Sequence, residues 1–338
     1  VGGLEPPTSA SQTRRAGRLR YTPADKSIIR SMYKRQDVAV SSPVTFIMLF
    51  FLLPLTLHSA ACTPNNISST KENDTIPAIS ESPKSTTTTA PSSLQDAPSP
   101  TSTLDCLASG GKILNDHFES ELLGTIIEFM VYLPPCYHTN LQQDYPVVYL
   151  MHGLSYTNEQ WLRIGLVDSM DSLIAEDSLP PFIIVLPYES DPEPPQISQF
   201  PDALTQELIP WVDAHYRTLA DKQHRAIGGV SRGAAWAVQI GFEHRELFSA
   251  IGAHSLPLFQ SDNGSIHLWL NQEPIEDQPR VFIDIGRNDQ EWKSAQNFAN
   301  LLDANHIPHE WYMFKNGHTE SYWSSHLEQY LLWYTQDW

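Results

Sequence analysis

The segment Gly229-Val230-Ser231-Arg232-Gly233 joins an apolar run, Ala226-Ile227-Gly228, directly to a helix-forming run of small and apolar residues over 234–242. No loop separates the two, so the chain must turn within this pentapeptide, and the glycines flanking Ser231 permit the close backbone approach that such a turn needs. A strand running into a helix is half of a βαβ unit, and reactive groups in such units collect at the carboxyl ends of the strands. The rest of the chain repeats the pattern. Runs rich in β-branched and aromatic residues over 126–133, 147–151, 182–186, 226–228, 248–253, 281–285 and 310–314 alternate with helical patterns over 159–175, 202–216, 234–242, 292–304 and 322–334. The run at 182–186 is apolar throughout, as a strand covered on both faces should be. These features predict an α/β fold with a mostly parallel central sheet flanked by helices on both faces.

The 338 residues divide by composition into an upstream extension and export signal over 1–61, a tether over 62–103 and a single α/β domain over 104–338. An apolar run over 44–57 follows Lys34 and Arg35 and leads into Ser59-Ala60-Ala61-Cys62, the order of a secretory signal. It is short for a bilayer span. Met32 is an orthodox start for that signal. Cys62 after two alanines resembles a lipoprotein cleavage site, which implies a membrane partner through a lipid anchor on Cys62; the alternative is an ordinary cleaved signal. The tether is Ser, Thr, Pro and Asn with few large apolar groups, too little to offset chain entropy. Only three cysteines occur, so with Cys62 lipidated, Cys106 and Cys136 are left to pair as a disulfide in an oxidising compartment. The first 61 residues hold eight Lys and Arg against three Asp and Glu, which leaves 13 and 36 of the chain's 21 and 39 for the remainder, a net charge near −23. Such a body repels phosphate backbones and excludes nucleic acid as a partner.

Ser231, at the end of a strand and the start of a helix, is a candidate nucleophile. A serine hydroxyl needs a base, and in a strand-ordered site the acid and then the histidine follow on later loops. Of His306, His309, His318 and His326, only His318 falls at a strand's carboxyl end, just after the run at 310–314. For the acid, Asp289 follows the turn at Gly286, whereas Asp284 lies within its strand and Glu320 is a rival beside His318. The catalytic set read from the sequence is therefore Ser231, Asp289 and His318. Leu154, in the His152-Gly153 turn that ends the strand at 147–151, and Arg232 supply the backbone amides of a candidate oxyanion hole. The loop over 187–201 places Glu189, Asp191 and Glu193 as an acidic rim. Trp161, Trp236, Trp323 and His254 are candidate substrate contacts.

Taken together, the segments VYLPPCY, YPVVYLMHG, IGGVSRGAAWA, IDIGRND and NGHTESYW resemble the α/β-hydrolase esterase group that contains enterochelin esterases, feruloyl and acetylxylan esterases of carbohydrate esterase family 1, and S-formylglutathione hydrolases. The resemblance covers about 104–338. It implies hydrolysis of a small-molecule or glycan-linked ester through an acyl-enzyme, with no metal or organic cofactor. Acyl transfer of the mycolyltransferase type, or a non-catalytic glycan- or siderophore-binding lipoprotein on the same fold, are the alternatives.

Overall fold

The computed structural model describes residues 103–271 and 274–338. The export signal, Cys62 and nearly all of the tether lie outside the described residues. Eight strands form one sheet: β1 (Lys112–Ser120), β2 (Thr125–Leu133), β3 (Val147–Met151), β4 (Ile183–Pro187), β5 (Arg225–Val230), β6 (Ala250–His254), β7 (Arg280–Gly286) and β8 (His309–Phe314). Their order is β1-β2-β4-β3-β5-β6-β7-β8. The pairs β1·β2 and β2·β4 are antiparallel and every later pair is parallel. The fold is the α/β-hydrolase fold.

Eight α-helices accompany the sheet: α1 (Thr103–Ala108), α2 (Gln160–Arg163), α3 (Leu166–Ala175), α4 (Ile209–His215), α5 (Arg232–Glu243), α6 (Ile266–Leu270), α7 (Trp292–Ala304) and α8 (Glu320–Tyr334), with a further helical turn at Phe200–Asp202. Alternation along each strand feeds two cores. On one face Val147, Tyr149 and Met151 of β3 join Ala237 and Val238 of α5 and Phe298 and Leu302 of α7. On the other, Val148 and Leu150 join Leu166 and Met170 of α3 and Tyr330 and Leu331 of α8. Each large side chain sealed this way contributes about 1.5–3 kcal/mol relative to exposure.

Three local features depart from the sequence reading. The helix expected over 159–175 is broken into α2 and α3, because Gly165 adopts φ 102°, a left-handed conformation that stops one helix and opens the next. The helix expected over 202–216 contains a π-helical segment, Ala203–Leu208. Pro210 follows it; a proline ring would collide with the carbonyl four residues back in an α-helix, and the widened turn relieves this. Finally, β1 was not expected. It is an edge strand whose residues are mostly exposed or half-buried, so its sequence lacks an apolar run. A disulfide joins Cys106 of α1 to Cys136 beyond β2, with a Cα–Cα distance of 4.9 Å.

Candidate active site

β3 leads to β4 on one side of the sheet and β4 leads back to β5 on the other, so the chain reverses direction between β3 and β5. A crevice opens at the carboxyl ends of the strands at such a point. Ser231 follows β5 and the His152-Gly153 turn follows β3, so both sit at this crevice.

Ser231 takes φ 54° and ψ −124°, a conformation costly for any residue with a side chain. The strain is held from both sides. Its amide donates to the His254 carbonyl at 2.9 Å, and its own carbonyl accepts from Ala234 at 2.8 Å. A Cβ at Gly229 would lie 2.3 Å from the Gly233 carbonyl carbon, and one at Gly233 would lie 2.4 Å from the Met151 oxygen. Only glycine permits this contact between strand, turn and helix.

Two other loops are pressed together just as closely. A Cβ at Gly286 would meet the Asn316 carbonyl oxygen at 2.4 Å, and the Asn288 amide donates to that same oxygen at 3.0 Å. The loops after β7 and β8 thereby bring Asp289 to His318. His318 Nδ1 stands 3.0 and 2.9 Å from the two Asp289 oxygens, and Nε2 stands 2.8 Å from Ser231 Oγ. An ionised carboxylate only accepts, so the imidazole proton belongs on Nδ1 and Nε2 is free to take the serine proton. Burial alone would raise the Asp289 carboxyl, but donation from His318 and from the Glu291 amide outweighs it and holds the group below its ordinary value. Glu320 faces away from this set, paired with Arg163 at 2.8 Å.

The side chain of Gln160 is fully buried, and its Oε1 accepts the Gly153 amide at 2.7 Å. That leaves Leu154 as the next amide of the turn. A Cβ at Gly153 would touch Ser231 Cβ at 3.4 Å, so this turn abuts the serine. Arg232 is the first residue of α5, where amides have no partner within the helix. The His152 ring ties the turn to the next loop: Nδ1 lies 2.9 Å from the Gly153 oxygen, and the Glu189 amide donates to Nε2 at 3.0 Å. Burial pushes His152 below its ordinary value, in keeping with a neutral ring. A cleft of about 180 Å³ opens beside the turn, lined by Leu154, Tyr156, Thr157, Tyr188 and Ser190 among others.

Several sequence expectations are corrected. Glu189 does not stand on an open acidic rim; it is buried, and Arg232 grips its carboxylate through Nε at 2.9 Å and Nη2 at 2.7 Å. Trp161, Trp236 and Trp323 are sealed in the interior and offer no face to a substrate. Their ring nitrogens donate to Met151 O, Glu189 Oε2 and Ser255 Oγ respectively. His254 is likewise wholly buried, bonded to Asp284 at 2.7 Å and to the Tyr334 hydroxyl at 3.1 Å. Asp284 also accepts from the Tyr322 and Tyr330 hydroxyls, so it is a structural carboxylate rather than a partner of His318. Gln160 and Ser255 carry no signal in the sequence, because their partners are set by loops that meet only in the fold.

The family model described as "Putative esterase" matches residues 120–334. An endo-1,4-beta-xylanase/feruloyl esterase of Xylanibacter ruminicola is 33% identical over 195 residues, covering 54% of this chain and 25% of that one. The chain thus aligns with about a quarter of that relative's length. Among solved structures, a ferulic acid esterase is 26% identical with a TM-score of 0.62, over 68% of this chain and 99% of that one. The fold is shared with an S-formylglutathione hydrolase from Staphylococcus aureus, 15% identical with a TM-score of 0.55, over 67% of this chain and 98% of that one.

Proposed function

Because the chain belongs to the "Putative esterase" family, we propose that it is a carboxylic ester hydrolase in which Ser231 is the nucleophile, His318 the general base and Asp289 the acid that orients it. The observation that carries this reading is the unbroken line Ser231 Oγ–His318 Nε2 at 2.8 Å and His318 Nδ1–Asp289 at 2.9 Å. Ser231 Oγ attacks the ester carbonyl as His318 Nε2 takes its proton. The negative oxygen that develops is received by the amides of Leu154 and Arg232, aided by the positive end of α5. His318 then returns the proton to the departing alcohol, leaving an acyl group on Ser231, and a water activated by the same imidazole releases the acid.

The substrate we infer is an ester of an aromatic acid. Supporting this are the ferulic acid esterases among the similar proteins and a cleft that offers Tyr156 and Tyr188 beside the turn at Gly153. The location we infer is extracytoplasmic, with lipid on Cys62, from the order of charge, apolar run and small residues ahead of that cysteine and from the Cys106–Cys136 bond. Turnover of methyl ferulate, measured against an acetyl ester, tests the function. We expect hydrolysis of the feruloyl ester by the wild type and a loss of about 10⁴-fold or more in Ser231→Ala. Equal turnover in that variant would refute it.

A further inference from the structure

Ser255 directly follows β6 and is 0% exposed, yet it takes φ 56°, in the left-handed region that residues with side chains avoid. Its amide donates to the Asp284 carbonyl at 2.9 Å, which pins it at the end of the sheet. Its hydroxyl accepts from Trp323 Nε1 at 3.0 Å and hydrogen-bonds to the Asp289 carboxylate. A hydroxyl has one proton. With the indole N–H occupying a lone pair, that proton is directed to Asp289. The indole itself stands edge-on to the His318 ring, with centroids 5.2 Å apart. Trp323 therefore touches the histidine directly and reaches the carboxylate through Ser255. Strain of this kind persists only where the surroundings over-determine it, and these contacts all converge on one carboxylate.

We propose that Ser255, its hydroxyl oriented by Trp323, is a positioning residue of the catalytic site that holds the Asp289 carboxylate in the geometry His318 requires. This rests on the esterase reading above. The hydroxyl supplies a donor that the carboxylate needs in addition to His318 and the Glu291 amide. The other ionisable groups packed at this point are already committed: Tyr322 and Tyr330 donate to Asp284, and His254 is bonded to Asp284 as well. Without the Ser255 hydroxyl the charge on Asp289 is less well stabilised, so proton binding by the Asp289–His318 pair becomes more favourable.

The experiment is the pH profile of kcat/KM for an ester substrate in wild type, Ser255→Ala, Ser255→Gly and Trp323→Phe, with rates normalised to active sites by burst titration. In Ser255→Ala we expect kcat to fall about ten-fold with KM nearly unchanged, and the acidic limb to move to higher pH by on the order of half a unit. Ser255→Gly relieves the backbone strain but lacks the hydroxyl, so it should show the same shift. Trp323→Phe keeps a ring against His318 and removes only the indole N–H, and it should move the limb in the same direction by less. A limb unmoved in Ser255→Ala, or wild-type kinetics in Ser255→Gly, would overturn the proposal. Should the Ser255 variants fail to fold, an unmoved limb in Trp323→Phe overturns it equally. A wild type that turns over no ester defeats the esterase reading and this one together, whereas an active wild type with unmoved variants defeats this one alone.

Discussion

At Gly153 a single side chain decides where the following amide points. Gln160 Oε1 occupies the Gly153 N–H, while its Nε2 is buried without a partner among the described residues. An unsatisfied buried donor costs about 1–3 kcal/mol, a cost that an apolar residue at this position would avoid. Its retention is accounted for if the turn needs an acceptor here to present Leu154 N–H toward the oxyanion. Gln160→Leu should lower kcat about ten- to a hundred-fold with little change in KM, since the interaction lost is one made mainly in the transition state. Steady-state kinetics check this, and an unchanged kcat would show that the turn holds its shape unaided. Arg232 illustrates the same economy of placement. Its amide faces the reaction while its guanidinium is held by Glu189 and by the Glu193 carbonyl, and lies over the Trp236 ring.

The elements carry the next level of constraint, and here the sequence was legible in some places and opaque in others. Ser231, Asp289 and His318 could be picked out because each lies at a strand's carboxyl end in the order that parallel strands impose. The break at Gly165 and the widened turn before Pro210 were hidden, because a helical pattern in apolar residues continues across both. Buried tryptophans were also hard to separate from substrate platforms, since composition near a site does not distinguish a ring that lines a cleft from one that seals a core. What separates them is the fold, which gives each ring nitrogen a buried acceptor. Asp284 shows how elements are fastened: it anchors Tyr322 and Tyr330 of α8 to the end of β7, with His254 of β6 completing the cluster. Burial and the nearby Asp284 charge push both tyrosine hydroxyls upward, so they remain donors. Asp284→Ala should therefore destabilise the protein by about 3–5 kcal/mol, by breaking a buried charged network and stranding its partners. Denaturant unfolding measures it; a loss under about 1 kcal/mol would mean that the cluster is held together by packing alone.

For the molecule as a whole, the two cores, the sheet that divides them and the disulfide at its entry set the frame on which the loops depend. The bond closes a sequence separation of 30 residues, for which loop-closure entropy gives about 3–4 kcal/mol. Cys136→Ser should lower the unfolding free energy by about that amount while leaving kcat close to wild type, because neither cysteine reaches the crevice; an unchanged unfolding midpoint would argue against it. The central claim is that Ser231 forms the covalent intermediate. Intact-protein mass spectrometry after treatment with a fluorophosphonate tests this most directly. The account predicts one phosphonyl adduct on wild type, mapped to Ser231, with labelling abolished in Ser231→Ala and strongly slowed in His318→Ala. An unlabelled wild type, or full labelling of Ser231→Ala, would contradict it.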